Sequence, residues 1–443
     1  VLSGVGIGYR RTLAADLLAR PKVADFVEVI AEACEPAEER SEVRAFAELA
    51  PVLVHGTKLS LGSAEGIDNA RARRLGKLAR DLKSPLVSEH AAFVRAAGRE
   101  IGHLTMLPLV EDSIRVLSRN VRNARRHLPD VPLLLENIAW SFRWQEDRMD
   151  EGSFYAQLAK TTGCDLLLDI ANLYANAVNG GRDPIEELDR FPLERVSLLH
   201  IAGGVFEDGF LLDTHSQPVP EAIFALVERV LQRAGDVPIV LERDANFPAF
   251  EELEVELGRA RQAMRSASPR PRTRRPSPRP ASEPVDTGWL QQAQACFAQA
   301  LTNDRSLKGV EGGPDLARAR SILHRRRIDF ALRLLPRLAD DREQVVAVCL
   351  PQLPTLPLAR AHAAISDAIR IAHAAARESN LAPAAELDRM VIEAHFVVSA
   401  DGHVRPRWGP FLRRAGRSGA WITKGVGVDA RVRIVRFGNV PPC

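Results

Sequence analysis

The stretch Asp165-Leu-Leu-Leu-Asp169 is a short apolar run that stops on a side chain metals favour. Five more runs have the same form: Pro51-Val-Leu-Val-His55, Pro85-Leu-Val-Ser-Glu-His90, Pro132-Leu-Leu-Leu-Glu136, Val196-Ser-Leu-Leu-His200 and Pro238-Ile-Val-Leu-Glu242. Each has the length of a buried strand rather than a helix. Unbroken Leu/Val/Ile runs mark parallel strands covered on both faces. The terminal residues of the six lie 35, 46, 33, 31 and 42 positions apart, one strand-loop-helix unit each time. Two earlier runs, Val5-Gly-Ile-Gly-Tyr9 and Asp25-Phe-Val-Glu-Val-Ile30, bring the strands to eight. Apolar residues at three-to-four spacing predict helices over 67–82, 109–126, 151–161, 221–234 and 250–264. Eight such alternations predict an α/β chain folded as a (β/α)8 TIM barrel. An open doubly wound sheet fits less well. Its Gly-rich turn should open a helix, whereas the glycines from Gly4 to Gly8 lie within the first strand.

At 443 residues the chain is longer than one average domain. The barrel pattern fills 1–264. Residues 265–285 then turn to Pro, Arg and Ser, a composition that buries too little to offset its ordering entropy and predicts an extended linker. Residues 286–443 predict a small, mostly helical domain with a β tail: helices over 289–302, 315–338 and 358–379, then strands over 390–398, 404–408, 421–426 and 430–437. Its histidines (His324, His362, His373, His395, His403) form no array with carboxylates, and no catalysis is expected there. A net charge of +3 gives no ground for a nucleic-acid partner. No apolar stretch approaches the roughly 18 residues that cross a bilayer, and the opening Val1-Leu-Ser-Gly-Val-Gly does not read as a signal peptide. Five cysteines without CxxC spacing argue against a thiolate zinc site and fit a reducing cytoplasm.

In a barrel of this kind the C-terminal ends of all strands open onto one mouth. His55, His90, Glu136, Asp169, His200 and Glu242 would therefore share a space, and clustered buried carboxylates need protons or cations to compensate them. Mixed imidazole and carboxylate donors suit iron, manganese or zinc. Six donors are enough for more than one ion, with carboxylates bridging. The loops add Asn172, three residues beyond a strand end, and Asp213 and His215 in a polar loop expected to fold back over the mouth. Arg243 and Asp244, together with Glu28 and Glu32, are candidates for orienting ligands from outside. His103 and His127 fall outside the register and are expected to be structural. Any one of these groups alone would read as an ordinary buried histidine or a helix cap. Six at one register, unit after unit, do not.

Several stretches carry a resemblance: Val54-His-Gly-Thr-Lys-Leu-Ser-Leu-Gly62, Ser88-Glu-His90, Leu135-Glu-Asn-Ile138, Leu168-Asp-Ile-Ala-Asn-Leu-Tyr174, His200-Ile-Ala-Gly203, Asp213-Thr-His215 and Leu241-Glu-Arg-Asp244. Over residues 5–257 the chain resembles the multinuclear non-haem iron-dependent oxygenases, the methanobactin-biosynthesis oxygenase among them. The resemblance implies two or three irons in mixed Fe(II)/Fe(III) valence, with O2 as co-substrate. It further implies oxidation of a residue, cysteine above all, in a ribosomally made precursor peptide. The implied ligands are His55, His90, Glu136, Asp169, Asn172, His200, Asp213, His215 and Glu242, the strand-end six carrying the catalysis. A separate partner protein usually presents the peptide in that family; here the fused C-terminal domain would do so, or else serve as an oligomerisation or stability module. The terminal Cys443 is expected to be a plain tail thiol. The chain departs from the family pattern at Ala171, Gly180, Gly204 and Arg243. Histidines are frequent at the second and third of these, so two irons are expected and a third is open.

The competing reading is a divalent-metal TIM-barrel isomerase or an endonuclease-like hydrolase, which uses similar strand-end donors without redox change. A DNA enzyme should carry basic loops at the mouth, whereas Arg and Lys here concentrate on predicted helices and the linker. A purely structural metal would need a closed coordination sphere, and nine candidate donors leave exchangeable positions.

Overall fold

The structure, a computed structural model, describes residues 2–35, 37–207, 209–267, 287–302, 314–351, 363–399, 404–414, 420–425 and 431–436. Eight parallel strands close a barrel in chain order: β1 (Val5–Gly8), β2 (Val27–Ile30), β3 (Val52–Gly56), β4 (Val87–His90), β5 (Leu133–Glu136), β6 (Asp165–Asp169), β7 (Val196–Ile201) and β8 (Ile239–Leu241). Closure is made by β8 on β1, with Val5 opposite Ile239 and Ile7 opposite Leu241. The expected TIM barrel is what the chain forms.

Along a strand, residues two apart face the same side, and this period builds the barrel interior in levels. Phe26, Leu53, Leu86, Leu134, Leu167, Leu198 and Val240 form one buried apolar cluster. Two positions further on stand Glu28, His55, Ser88, Glu136, Asp169, His200 and Glu242, all buried. The polar level thus lies directly on an apolar plug. At β1 the corresponding residues are Gly6 and Gly8. A Cβ on Gly6 would fall 2.3 Å from Phe26 Cε2, and one on Gly8 3.2 Å from Arg10 Nη1. The ring of Phe26 and the guanidinium of Arg10 occupy the room that β1 leaves.

Helices flank the strands much as the periodicity predicts: Asn69–Asp81, Glu111–Arg125, Glu151–Thr162, Glu221–Ala234 and Phe250–Ala267. Two antiparallel hairpins were not foreseen, Ala92–Ala96 with Arg99–Met106 and Gly203–Glu207 with Phe210–Gln217. The second replaces the polar loop expected around residue 213.

The chain divides into two compact units, Val1–Ala96 with Leu104–Gln294, and Ala97–His103 with Ala295–Cys443. The second has its own core, including Ile328, Leu335, Val345, Ile371 and Leu381. Here the sequence reading needs two corrections. Residues 390–395 belong to the helix Ala382–His395, because Leu387, Met390 and Ala394 recur at helical spacing into a buried cluster. Only Phe396–Val398 is strand, paired with Val404–Pro406. The helix expected over 315–338 stops at Leu332 and restarts at Pro336, whose missing N–H is tolerated only at a helix start. Strands Ala420–Lys424 and Val432–Arg436 pair as expected, joined by Phe411–Arg414. The linker from residue 268 onward, His362, His403 and Cys443 lie outside the described residues. Among the described residues no helix is long and apolar enough to cross a membrane.

Candidate metal centre

The six strand-end residues converge. One ligand atom each from His55, His90 and Glu136 lies within 4.8 Å of the others. The same holds for Glu136, Asp169, His200 and Glu242. Glu136 belongs to both groups through different oxygens: Oε2 lies 3.4 Å from His55 Nε2 and 3.1 Å from His90 Nε2, while Oε1 lies 3.2 Å from His200 Nδ1. His200 Nδ1 is also 3.0 Å from Glu242 Oε2. Register explains the meeting, since His90 pairs with Glu136 and Asp169 with His200 on neighbouring strands.

The loop residues close in from the rim. Asp169 caps the helix Ile170–Asn179, its Oδ1 accepting from Asn172 N at 2.8 Å. Asn172 gives its amide hydrogen to Asn137 O at 3.1 Å, which leaves its Oδ1 on the inside. The hairpin delivers His215, whose Nε2 is 2.7 Å from Asp213 Oδ1 and 3.8 Å from Asp169 Oδ2, and whose Nδ1 is 3.4 Å from Glu242 Oε2.

The surrounding groups sort less simply than the sequence suggests. Glu28 reaches the centre, its Oε1 2.8 Å from His200 Nε2. Glu32 does not. It accepts from Thr57 N at 3.1 Å and Lys58 N at 3.0 Å, pinning the loop after β3. Asp244 faces His215 Nδ1 at 3.5 Å, but Arg243 turns outward to Glu256 at 2.7 Å. Two residues were missed. Ser88 Oγ pairs with His55 Nδ1 at 2.9 Å, and Arg10 Nε donates to Asp244 at 2.8 Å while its Nη2 lies 3.5 Å from Glu242. The period-two level above the plug would have found Ser88. The paired glycines of β1 mark the gap that Arg10 fills. His103 and His127 stand apart from the centre, as expected, near Arg326 and Asn69.

What this arrangement can hold follows from its unsatisfied atoms. Glu28 Oε2, His90 Nδ1, Glu136 Oε2, Asp169 Oδ2, Asn172 Oδ1 and both ring nitrogens of His200 and His215 are buried without a hydrogen bond. Each such atom costs on the order of 1–3 kcal/mol, and so many at one point require a compensating ligand. The carboxylate and amide oxygens offer lone pairs, and each neutral imidazole offers one more through a single ring nitrogen, so the ligand they fit is a cation. Without one, protons take its place. Burial alone would push His90 down, but Glu136, Glu89 and Glu242 hold it up at about 9. His200 and His215 are likewise raised well above the usual imidazole value, against burial, by the carboxylates around them. Burial, reinforced by the Asp213 charge, drives Asp169 well above the carboxylate range. Glu242 goes the other way: burial opposes its ionisation, and His200, His215 and Arg10 overcome it.

A family profile described as RiPP precursor modification enzyme MbnB/TglH/ChrH matches residues 4–265. The chain belongs to this family. A UPF0276 protein of Streptomyces avermitilis is 42% identical over 275 residues, covering 60% of this chain and 56% of that protein. The chain thus spans little more than half the length of that relative. A UPF0276 protein of Caulobacter vibrioides is 38% identical over 265 residues, covering 58% of this chain and 93% of that one. Among solved structures, a xylose isomerase domain protein from Alicyclobacillus acidocaldarius aligns at 16% identity and a TM-score of 0.41, over 60% of this chain and 100% of that one.

Proposed function

We propose that the chain is an iron-dependent, O2-using enzyme that oxidises a residue, cysteine in the first place, of a ribosomally synthesised precursor peptide. The observation that carries this reading is the set of buried, unpartnered polar atoms on Glu28, His90, Glu136, Asp169, Asn172 and His200, beside Glu242, in a chain of the MbnB/TglH/ChrH family. His55, His90 and Glu136 would hold one ion; Glu136, Asp169, His200 and Glu242 a second, with Glu136 shared. Asn172, Asp213 and His215 would complete the donor set from the rim. Iron, when bound, supplies the redox electrons and the activation of dioxygen that side chains lack. The chain's own residues prepare the place. Ser88 fixes the ring of His55 so that Nε2 faces Glu136. The apolar plug excludes water from below. Residues 286–443 would present the precursor peptide, raising its effective concentration near the mouth.

The test is anaerobic purification of the full chain with metal analysis and electron paramagnetic resonance, followed by O2 uptake with a Cys-bearing precursor peptide. Roughly two irons per chain, an O2-sensitive mixed-valent signal and a mass change on the peptide are expected. Stoichiometric zinc or magnesium with no O2 uptake would sink the proposal.

A further inference from the structure

The donors of the mouth differ in how they are held. Six stand on or directly beside barrel strands. Asp213 and His215 do not. In their hairpin Val205 pairs with Leu212, yet the next pair is Gly203 with Gln217, so residues 213–216 bulge opposite the single Gly204. A bulge leaves its residues outside the ladder, and the strand pairing therefore does not fix the two donors. His215 also sits at φ 49°, a left-handed conformation that a non-glycine residue keeps only when held.

Two anchors hold it. At one end, Asn179 Nδ2 donates to Leu211 O at 2.9 Å and Leu211 N donates to Asn179 Oδ1 at 2.8 Å, so a side-chain amide pairs with the hairpin two residues before Asp213, where Leu211 still lies opposite Phe206. At the other end, Asp244 N donates to His215 O at 2.8 Å. Asp244 is itself gripped by Arg10 through Nε and Nη2. The first anchor belongs to a row. Asn172, Asn176 and Asn179 follow each other at spacings of four and three on the helix Ile170–Asn179, hence on one face. Asn172 and Asn176 tie down the loop after β5, through Asn137 O at 3.1 Å and Ile138 O at 3.0 Å. Asn179 does the same for the hairpin.

We infer that Asn179 and Arg10 are positioning residues that fix the Asp213–His215 bulge over the mouth, making these two donors a separately removable part of the metal centre. The inference rests on the metal reading above. Asn179 is the sharper probe, because its side chain bonds to the Leu211 backbone, whereas Arg10 also approaches Glu242.

The experiment compares wild type, Asn179→Ala, Arg10→Met and Asp213→Ala as full chains. It reads metal per chain after iron loading, and hydrogen–deuterium exchange across 205–217 in the metal-free proteins. Asn179→Ala, Arg10→Met and Asp213→Ala should each lose about one metal equivalent while keeping the rest. In the metal-free state, amides of residues 211–216 should exchange about tenfold faster in Asn179→Ala, with the barrel strands unchanged. Full metal content with unaltered exchange overturns the inference. So does loss of all metal together with faster exchange throughout the barrel, which would make Asn179 a general structural residue. If wild type itself binds no metal, the metal reading falls, and the exchange measurement still decides whether Asn179 anchors the bulge.

Discussion

At the scale of single residues, each candidate ligand depends on the group that orients it. The bond from Ser88 Oγ to His55 Nδ1 fixes the ring that meets Glu136. Removing such a partner typically weakens metal binding about 10- to 100-fold. Ser88→Ala is therefore expected to lower metal affinity by that factor in a competition titration, with the fold intact; an unchanged affinity would show that the ring is held by other means. Glu151 offers a test away from the centre. Burial raises its carboxyl to about 7 from an ordinary 4.5, and Glu187 adds to this, while the Asn176 hydrogen bond, Arg143 and Arg182 pull down without cancelling it. The native state therefore keeps a proton that the unfolded chain has lost between pH about 4.5 and 7, so this group's contribution to stability falls as pH rises through that window and is fully unfavourable above it. Glu151→Gln keeps an acceptor for Asn176 and removes the penalty. It should be more stable than wild type by about 3 kcal/mol at pH 8, with no advantage near pH 4. A stability difference independent of pH would refute the assignment.

At the scale of elements, strand length and terminal residue were legible because a buried parallel strand is apolar throughout, and Asp165–Asp169 coincides with its predicted bounds. The six metal-liking ends were legible for the same reason. What escaped was whatever depends on partners distant in the chain. Met390-Val-Ile reads equally as strand or helix, and only the cluster with Phe411 and Ile422 decides for helix. The glycines of β1 mark a gap, but nothing local says that the side chain of Arg10 fills it. The hairpin was hidden because its bulge breaks the alternation that would have marked a strand. That bulge also explains one departure from the family pattern. A Cβ on Gly204 would stand 2.4 Å from Leu212 O, so no larger side chain, histidine included, fits this backbone without spreading the hairpin. Gly204→Ala is expected to cost about 1–3 kcal/mol by overpacking, seen as a lower midpoint in thermal unfolding, and to speed hydrogen exchange across 205–217. Wild-type stability would mean that the hairpin yields more readily than its spacing implies.

At the scale of the whole molecule, charge is distributed in a way that a balanced total conceals. The chain carries +3 overall, yet Glu28, Glu136, Asp169, Asp213, Glu242 and Asp244 gather around three inward strand-end histidines, His215 and Arg10. In the metal-free chain such a concentration of carboxylates is offset by the raised His90, His200 and His215, by Arg10 and by the raised carboxyl of Asp169. Metal should therefore stabilise the unit that contains the mouth and leave the other alone, since the second unit has a separate core around Ile328, Leu335 and Ile371. Linkage sets the size: a ligand at a hundred times its dissociation constant adds about 2.7 kcal/mol per site. Calorimetry of the full chain with and without iron, under anaerobic conditions, should show one transition that moves upward with metal and a second that stays in place. Glu136→Ala should abolish the shift, because Glu136 touches both donor groups. A metal-dependent shift that survives in Glu136→Ala would place the bound ion somewhere other than the barrel mouth.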